Sequence, residues 1–244
     1  MTIATIICPA HGESGFVYVC SHLIGNPAQK WHCGYPEKDA AWRDAWCAVC
    51  NEVYEREGGW NAMNEGEVEI DVICGHCYEG AMAQSITCLD DARQAEWTHY
   101  LETLRKAEWA QPGAMTDVFG LRNYPVWDCY QRSAQLVFIH GDHLQIVADV
   151  EFVGTHSTDS NTWTWSWANF DLLEPVRSRI AAVRDFGEQR AYPRLTVPTW
   201  RADHQDAKDM TVVAADVLRG IGCFAIKTDG GYHHMVVMSV KRRE

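Results

Sequence analysis

Val68-Glu69-Ile70-Asp71-Val72-Ile73-Cys74-Gly75-His76-Cys77-Tyr78 is the stretch whose reading decides the fold of this chain. Residues 68–73 mix β-branched and acidic side chains in near alternation, the pattern of a half-buried strand. The strand delivers a Cys-x2-Cys pair, and residues 78–85 continue from Cys77 as a helix. Two thiolates held between a strand and a helix form the closing half of a treble-clef module around a tetrahedral ion. The helix N-terminus suits them, because its dipole favours negative charge.

Three further pairs lie upstream: Cys8/His11, Cys20/His22 and Cys47/Cys50. Two pairs complete one closed four-ligand site, so the four pairs are read as holding two structural zinc ions. A closed site leaves no open position for water or substrate, so it builds structure and performs no chemistry. Which pairs share an ion is open. Sequential grouping puts Cys8, His11, Cys20 and His22 around one ion and Cys47, Cys50, Cys74 and Cys77 around the other. Interleaved grouping joins the first pair to the third and the second to the fourth. The eight residues between His11 and Cys20 permit a tight hairpin and favour the sequential form. His22 is the weakest of the eight ligands, with His32 and Cys33 as substitutes. Cys88, Cys129 and Cys223 are unpaired and read as small buried hydrophobes.

Composition bounds the rest. A chain of 244 residues with 47% hydrophobic content and eleven tryptophans has ample material for a packed core. No run approaches the roughly 18 apolar residues that cross a bilayer. Residues 1–8 carry no basic n-region and run straight into a metal pair, so they are not read as a signal peptide. Without an export signal, ten cysteines at these spacings indicate metal and not disulfides, and a cytoplasmic location is expected. Residues 1–90 hold 4 Lys and Arg against 13 Asp and Glu, within a net charge of −12 for the whole chain. Ligand thiolates make the module more acidic still, because two dications replace six thiol protons. Zinc modules that hold nucleic acid need cations on the phosphates, and this one lacks them. Nucleic acid is therefore excluded as a partner, and a protein with a basic surface is expected.

The pattern divides the chain into a zinc-binding module over 1–88, a connecting helix over 89–113 and an antiparallel α+β domain over 114–244. In the first part, residues 3–7 and 16–20 read as strands, 26–39 as a loop, and 40–57 as a helix stopped by Gly58-Gly59. The helix over 89–109 has near-helical apolar spacing and ends at Gln111-Pro112-Gly113. Four strands follow, over 126–130, 134–140, 144–154 and 161–169, with a turn at Gly141-Asp142. Helices over 172–186 and 203–219 and a closing hairpin over 223–228 and 232–241 complete an antiparallel sheet with helices on one face.

Asn161-Thr162-Trp163-Thr164-Trp165-Ser166-Trp167-Ala168-Asn169 sets three indoles on one face of a strand and Thr162, Thr164 and Ser166 on the other. At roughly 200 Å² and ~25 cal/mol/Å², each buried indole contributes about 5 kcal/mol as an upper bound. The stripe reads as core, although a binding groove has the same composition. At Trp165-Ser166-Trp167-Ala168-Asn169 the chain resembles a bacterial family of uncharacterised proteins marked by a Trp-x-Trp-Ala-Asn strand and a following helix. That resemblance covers approximately residues 114–243. The N-terminal part is similar to a bacterial zinc module with Cys-x2-His-Gly, Val-Cys-x-His-Leu, Trp-Cys-x2-Cys and Cys-x2-Cys-Tyr motifs, here at residues 8–12, 19–23, 46–50 and 74–78. No activity comes with either resemblance, and the members read as accessory or immunity-type proteins.

Catalytic signatures are sparse. His140-Gly141-Asp142-His143 resembles a fragment of a hydrolytic metal site but reads first as a polar turn. His233 and His234 are neighbours on a strand and face opposite ways, so they do not share an ion. There is no nucleophile elbow, no His-Glu-x2-His, no phosphate loop and no dinucleotide fingerprint. The expected function is therefore a non-catalytic, zinc-stabilised protein-binding protein, of immunity or accessory type, acting on a basic protein. No catalytic residue is assigned. The alternatives are a metal-dependent hydrolase built on His140, Asp142 and His143, and a zinc or redox sensor.

Overall fold

Two sheets, each drawn together by one long strand, organise the chain. The computed structural model describes residues 5–33, 42–88, 90–111, 113–140, 144–169 and 172–243. The first sheet contains β1 (Thr5–Cys8), β2 (Gly12–Cys20), β3 (Trp31–Cys33), β4 (Ala45–Cys47) and β5 (Ile70–Cys74). Its order is β1-β2-β4-β3, with β5 also on β2. β2, β4 and β5 each run without a loop into a helix: α1 (Ser21–Gly25), α2 (Ala48–Glu57) and α3 (Gly75–Ser85).

The helix expected over 40–57 is shorter than its pattern implied. Residues 45–47 are all buried and pair with β3, so they are strand. The helix starts only after Cys47, whose extended backbone makes it the N-cap. Gly58 ends it at φ +70°, the left-handed conformation that glycine adopts without strain.

The second sheet contains β6 (Val126–Tyr130), β7 (Gln135–His140), β8 (Leu144–Ser157), β9 (Thr162–Trp165), β10 (Thr199–Arg201), β11 (Gly222–Thr228) and β12 (Gly231–Arg243). β8 and β12 form its antiparallel spine, with register shifts at His234/Met235 and Val237/Ser239. Such bulges add local twist and curl a sheet. On its other edge β8 pairs first with β7 and then with β9, so the sheet forks there. The turn expected at Gly141-Asp142 lies outside the described residues.

Six helices among the described residues accompany this sheet: α4 (Asp91–Arg105), α5 (Ala114–Phe119), α6 (Glu174–Arg179), α7 (Ala181–Arg190), α8 (Pro193–Thr196) and α9 (His204–Leu218). α9 opens with a reciprocal capping box between Asp203 and Asp206 and buries Ala207, Met210, Val213 and Ala214. α4 buries Trp97, Leu101 and Leu104, and its Tyr100 hydroxyl donates to Asp216 of α9 at 2.6 Å. The single helix expected over 172–186 is two, α6 and α7, meeting at the fully buried Ile180.

Trp163 and Trp165 are 0% exposed and meet edge to face at 5.2 Å, so the indole stripe is core. Trp167 departs from the expected alternation. The strand ends at Trp165, and Ser166–Ala168 form a 3-10 turn that leaves Trp167 partly buried beneath Arg184. Gly154, across the ladder from Trp165, makes room for the stripe: a Cβ there would lie 2.4 Å from the Trp163 ring. The threonine face is covered as well. Thr199 donates to Thr164 at 3.2 Å, and Arg43 of the N-terminal part donates to Thr199 at 3.4 Å. Glu79–Arg201 at 2.5 Å and Lys30–Glu188 at 2.8 Å tie the same two parts together. One buried cluster runs through Val17, Tyr78, Met82, Trp97, Trp163 and Val236.

Candidate metal centres

Strand direction decides which ligands meet. β5 runs antiparallel to β2 and sets Cys74 opposite Phe16, near the hairpin turn that carries Cys8 and His11. β4 runs parallel to β2 and sets Ala45 beside Val19, so Cys47 ends where Cys20 ends. The first pair therefore meets the fourth, and the second meets the third. Cys8, His11, Cys74 and Cys77 form one cluster, and Cys20, His22, Cys47 and Cys50 form the other, with all ligand atoms of a cluster within 4.8 Å of one another. This nested grouping is neither the sequential nor the interleaved one. His22 is in place as the fourth member of its cluster, while Cys33 faces the Tyr78 hydroxyl at 3.9 Å and belongs to neither.

The local geometry repeats. Cys20, Cys47 and Cys74 each end a strand in extended backbone and act as the N-cap of the helix that follows. His22, Cys50 and Cys77 sit in the first turn of that helix. A strand that stops and a helix that starts thus aim two ligands at one point, with the helix N-terminus behind the thiolates. Backbone amides add to this: Cys47 N–H donates to Cys20 Sγ at 3.2 Å, and Cys77 N–H to Cys74 Sγ at 3.4 Å.

The distances fit four-coordinate metal. Metal–sulfur bonds of about 2.3 Å and metal–nitrogen bonds of about 2.0 Å imply tetrahedral edges near 3.75 Å between sulfurs and about 3.5 Å between sulfur and nitrogen. In the first cluster, His11 Nδ1 lies 3.5, 3.3 and 3.5 Å from the sulfurs of Cys8, Cys74 and Cys77, and Cys8 and Cys77 are 3.8 Å apart. In the second, Cys47 and Cys50 are 3.6 Å apart, and His22 Nδ1 is 3.3 Å from Cys50. Both imidazoles present Nδ1 to the cluster. All ten cysteines are free of disulfides.

The thiols respond to their crowding. The Ala10 amide, with help from Cys74 and His11, lowers the Cys8 thiol to about 6. Burial, reinforced by the hydrogen bonds of Cys74 and Cys8, pushes Cys77 up to about 12. Burial likewise raises Cys20 and Cys50. Sulfurs packed this closely resist ionising together, and a dication between them removes that resistance and releases protons.

The remaining sequence candidates are dispersed. His140 is bonded through Nδ1 to the carbonyl of Asn123 at 2.6 Å, and Asp142 and His143 lie outside the described residues. His233 pairs with Thr155 and His234 with Thr211, on opposite faces of β12. Cys88, Cys129 and Cys223 are only partly buried, not the buried hydrophobes their spacing suggested. Among the described residues no third Cys/His/acid cluster has metal-ligand spacing, and no helix is long and apolar enough to cross a membrane.

A family model described as a family of unknown function, DUF6882, matches residues 98–241, from within α4 to near the end of β12. No curated protein and no solved structure matches the chain. The match takes in the forked sheet, α9 and the tryptophan strand and leaves the two Cys/His clusters outside it. With more than half of its length matched, the chain belongs to the DUF6882 family.

Proposed function

We propose that the chain is a non-catalytic, zinc-stabilised binding protein whose N-terminal part holds a basic protein partner. Two Cys3His donor sets with tetrahedral edges support zinc, because three thiolates and an imidazole in that geometry suit it. Both sets are complete with four protein ligands, which supports a structural role for each ion.

The observation that carries partner binding is on β5. Tyr18, Ile70 and Val72 share one face of the β2–β5 pair, and each is nearly half exposed (46%, 47% and 46%). β5 pairs only with β2 among the described residues, so its other edge is open. A groove of about 380 Å³ beside Tyr18 and Ile70 is rimmed by Asp44 and Glu65. Open strand edges bind extended segments by main-chain pairing, and the acids select a basic one. An immunity-type protein that neutralises a basic toxin in the cytoplasm is the concrete form of this reading. Ten unbridged cysteines support a reducing compartment.

The test is affinity for the products of flanking genes, measured with the metal-loaded chain and a Glu65→Lys/Asp71→Lys variant. A complex weakened at least about tenfold by charge reversal supports the proposal. Binding indifferent to those charges, or substrate turnover by the chain alone, overturns it.

A further inference from the structure

We infer that the DUF6882 part carries a binding cleft for a small organic anion that also bears a hydroxyl or N–H proton donor. The cleft has a volume of about 490 Å³ and lies between α9, α5 and the β11–β12 hairpin. That is the size of an ordinary small-molecule site. It is built wholly from residues 105–234 and contains none of the eight metal ligands.

Charge selects an anion. Asp209, the one carboxylate lining the cleft among the described residues, is 3% exposed in its side chain and is gripped by Arg105 through two N–H groups. Gln205 donates a third bond to it at 3.0 Å. Asp209 therefore neutralises Arg105 and fixes its guanidinium at the wall. Lys208, which precedes Asp209 on α9 and lines the same cleft, makes no ion pair or hydrogen bond among the described residues. The cleft thus has a surplus cation in a chain of net charge −12. Met115, Val212 and Phe224 supply an apolar wall for an organic body.

Hydrogen bonding selects a donor. His234 lines the cleft and is 2% exposed. The Thr211 hydroxyl donates to the Ala207 carbonyl at 2.7 Å, so its oxygen must accept from His234 Nδ1–H at 2.9 Å. That fixes the tautomer and leaves Nε2 as a lone-pair acceptor, buried and without a partner in the protein. His156 repeats the arrangement below His204. Its Nε2–H donates to the Ala202 carbonyl at 3.0 Å, and its Nδ1 is likewise unpartnered. Burial holds His234 far below the usual imidazole range, at about 3, so the ring stays neutral and accepting. A buried acceptor without a donor is costly, and a ligand O–H or N–H relieves that cost.

The test uses the intact metal-loaded chain and matched probe pairs: 4-hydroxybenzoate with benzoate, lactate with propionate, and inorganic phosphate as an anion without an organic body. Binding constants are measured together with the 15N shift of His234 Nε2. The expected result is that the hydroxylated member of at least one pair binds about tenfold tighter than its match and shifts Nε2. Lys208→Gln, on the half-buried face of α9, then weakens both members of the pair, and His234→Phe abolishes the difference between them. If His234→Phe does not fold, the Nε2 shift in the unaltered chain carries that arm. No binding by any probe at millimolar concentration overturns the inference, as does binding that leaves Nε2 unshifted or ignores Lys208→Gln. Partner capture by the β5 edge is unaffected by either substitution, so the two readings fail separately.

Discussion

Cys74 lies directly across the β2–β5 ladder from Phe16. Cys20 is four residues further along β2, about 13 Å away at strand rise. No ion whose ligand edges are under 4 Å reaches both ends of that strand. The two clusters are therefore separate, and each is closed by segments distant in sequence: residues 8 and 77 in one, 20 and 50 in the other.

The nested grouping predicts which ligand losses combine. Cys8→Ser and Cys74→Ser each remove one metal per chain, and the double variant still retains one. Cys8→Ser with Cys20→Ser retains none, whereas sequential grouping would leave one. Native mass spectrometry of the purified chains distinguishes the two outcomes. Cys47→Ser combined with Cys20→Ser is the matching control and retains the ion at Cys8, His11, Cys74 and Cys77.

Trp42 predicts a second effect, close to the first Cys/His cluster but not through one of its members. Its indole lies on the Cα of Gly75, where a Cβ would sit 2.1 Å from the ring, and a Cβ on Gly15 would sit 2.9 Å from it. Trp42 Nε1 also donates to Glu79 at 3.2 Å, the same carboxylate that pairs with Arg201. Gly75→Ala forces the ring away and is expected to cost about 1–3 kcal/mol of stability. In a Trp42→Ala background the added methyl has room, so the cost of Gly75→Ala falls to a few tenths of a kcal/mol. Urea unfolding of the four chains in this cycle measures the coupling.

The tryptophan strand predicts unequal costs for similar side chains. Trp163→Ala empties a fully buried site between Gly154 and Trp200 and is expected to cost about 3–5 kcal/mol. Trp167→Ala, in the 3-10 turn and partly exposed, is expected to cost less than half of that. Equal losses on thermal unfolding would contradict the break in alternation at Ser166.

These elements also show how far the sequence could be read. The four Cys/His pairs were legible because each is local: in three of them a cysteine ends a strand and its mate lies two or three residues on in a helical turn, and in the first Cys8 ends β1 and His11 follows in the hairpin turn. The grouping was not legible, because it depends on β5 being antiparallel and β4 parallel to β2, and spacing carries no information about strand direction. β10 is three residues long and is a strand only because Trp200 pairs with Trp163. The buried Thr164 was unreadable for the same reason, since Arg43, more than a hundred residues away, helps cover its partner Thr199. The cleft left no motif at all. His234 was visible only as half of a His-His doublet, and its role depends on Thr211, on a helix that covers it.

Acid sensitivity follows from the buried imidazoles. Burial lowers His234 to about 3 and His32 to about 4, and it lowers His233 as well. In the unfolded chain these rings titrate near 6.5, so between that value and the native one the unfolded state binds more protons. Stability is therefore complete above about pH 6.5 and declines as pH falls, by about 1.4 kcal/mol per pH unit for each ring within its window. His32 stops contributing below about 4 and His234 below about 3. His234→Gln removes one such group while leaving the metal ligands untouched. The difference in unfolding free energy between it and the unaltered chain is then expected to change by about one proton's slope between pH 6 and pH 4.5. Parallel curves for the two chains over that interval would show that His234 is not held neutral in the folded protein.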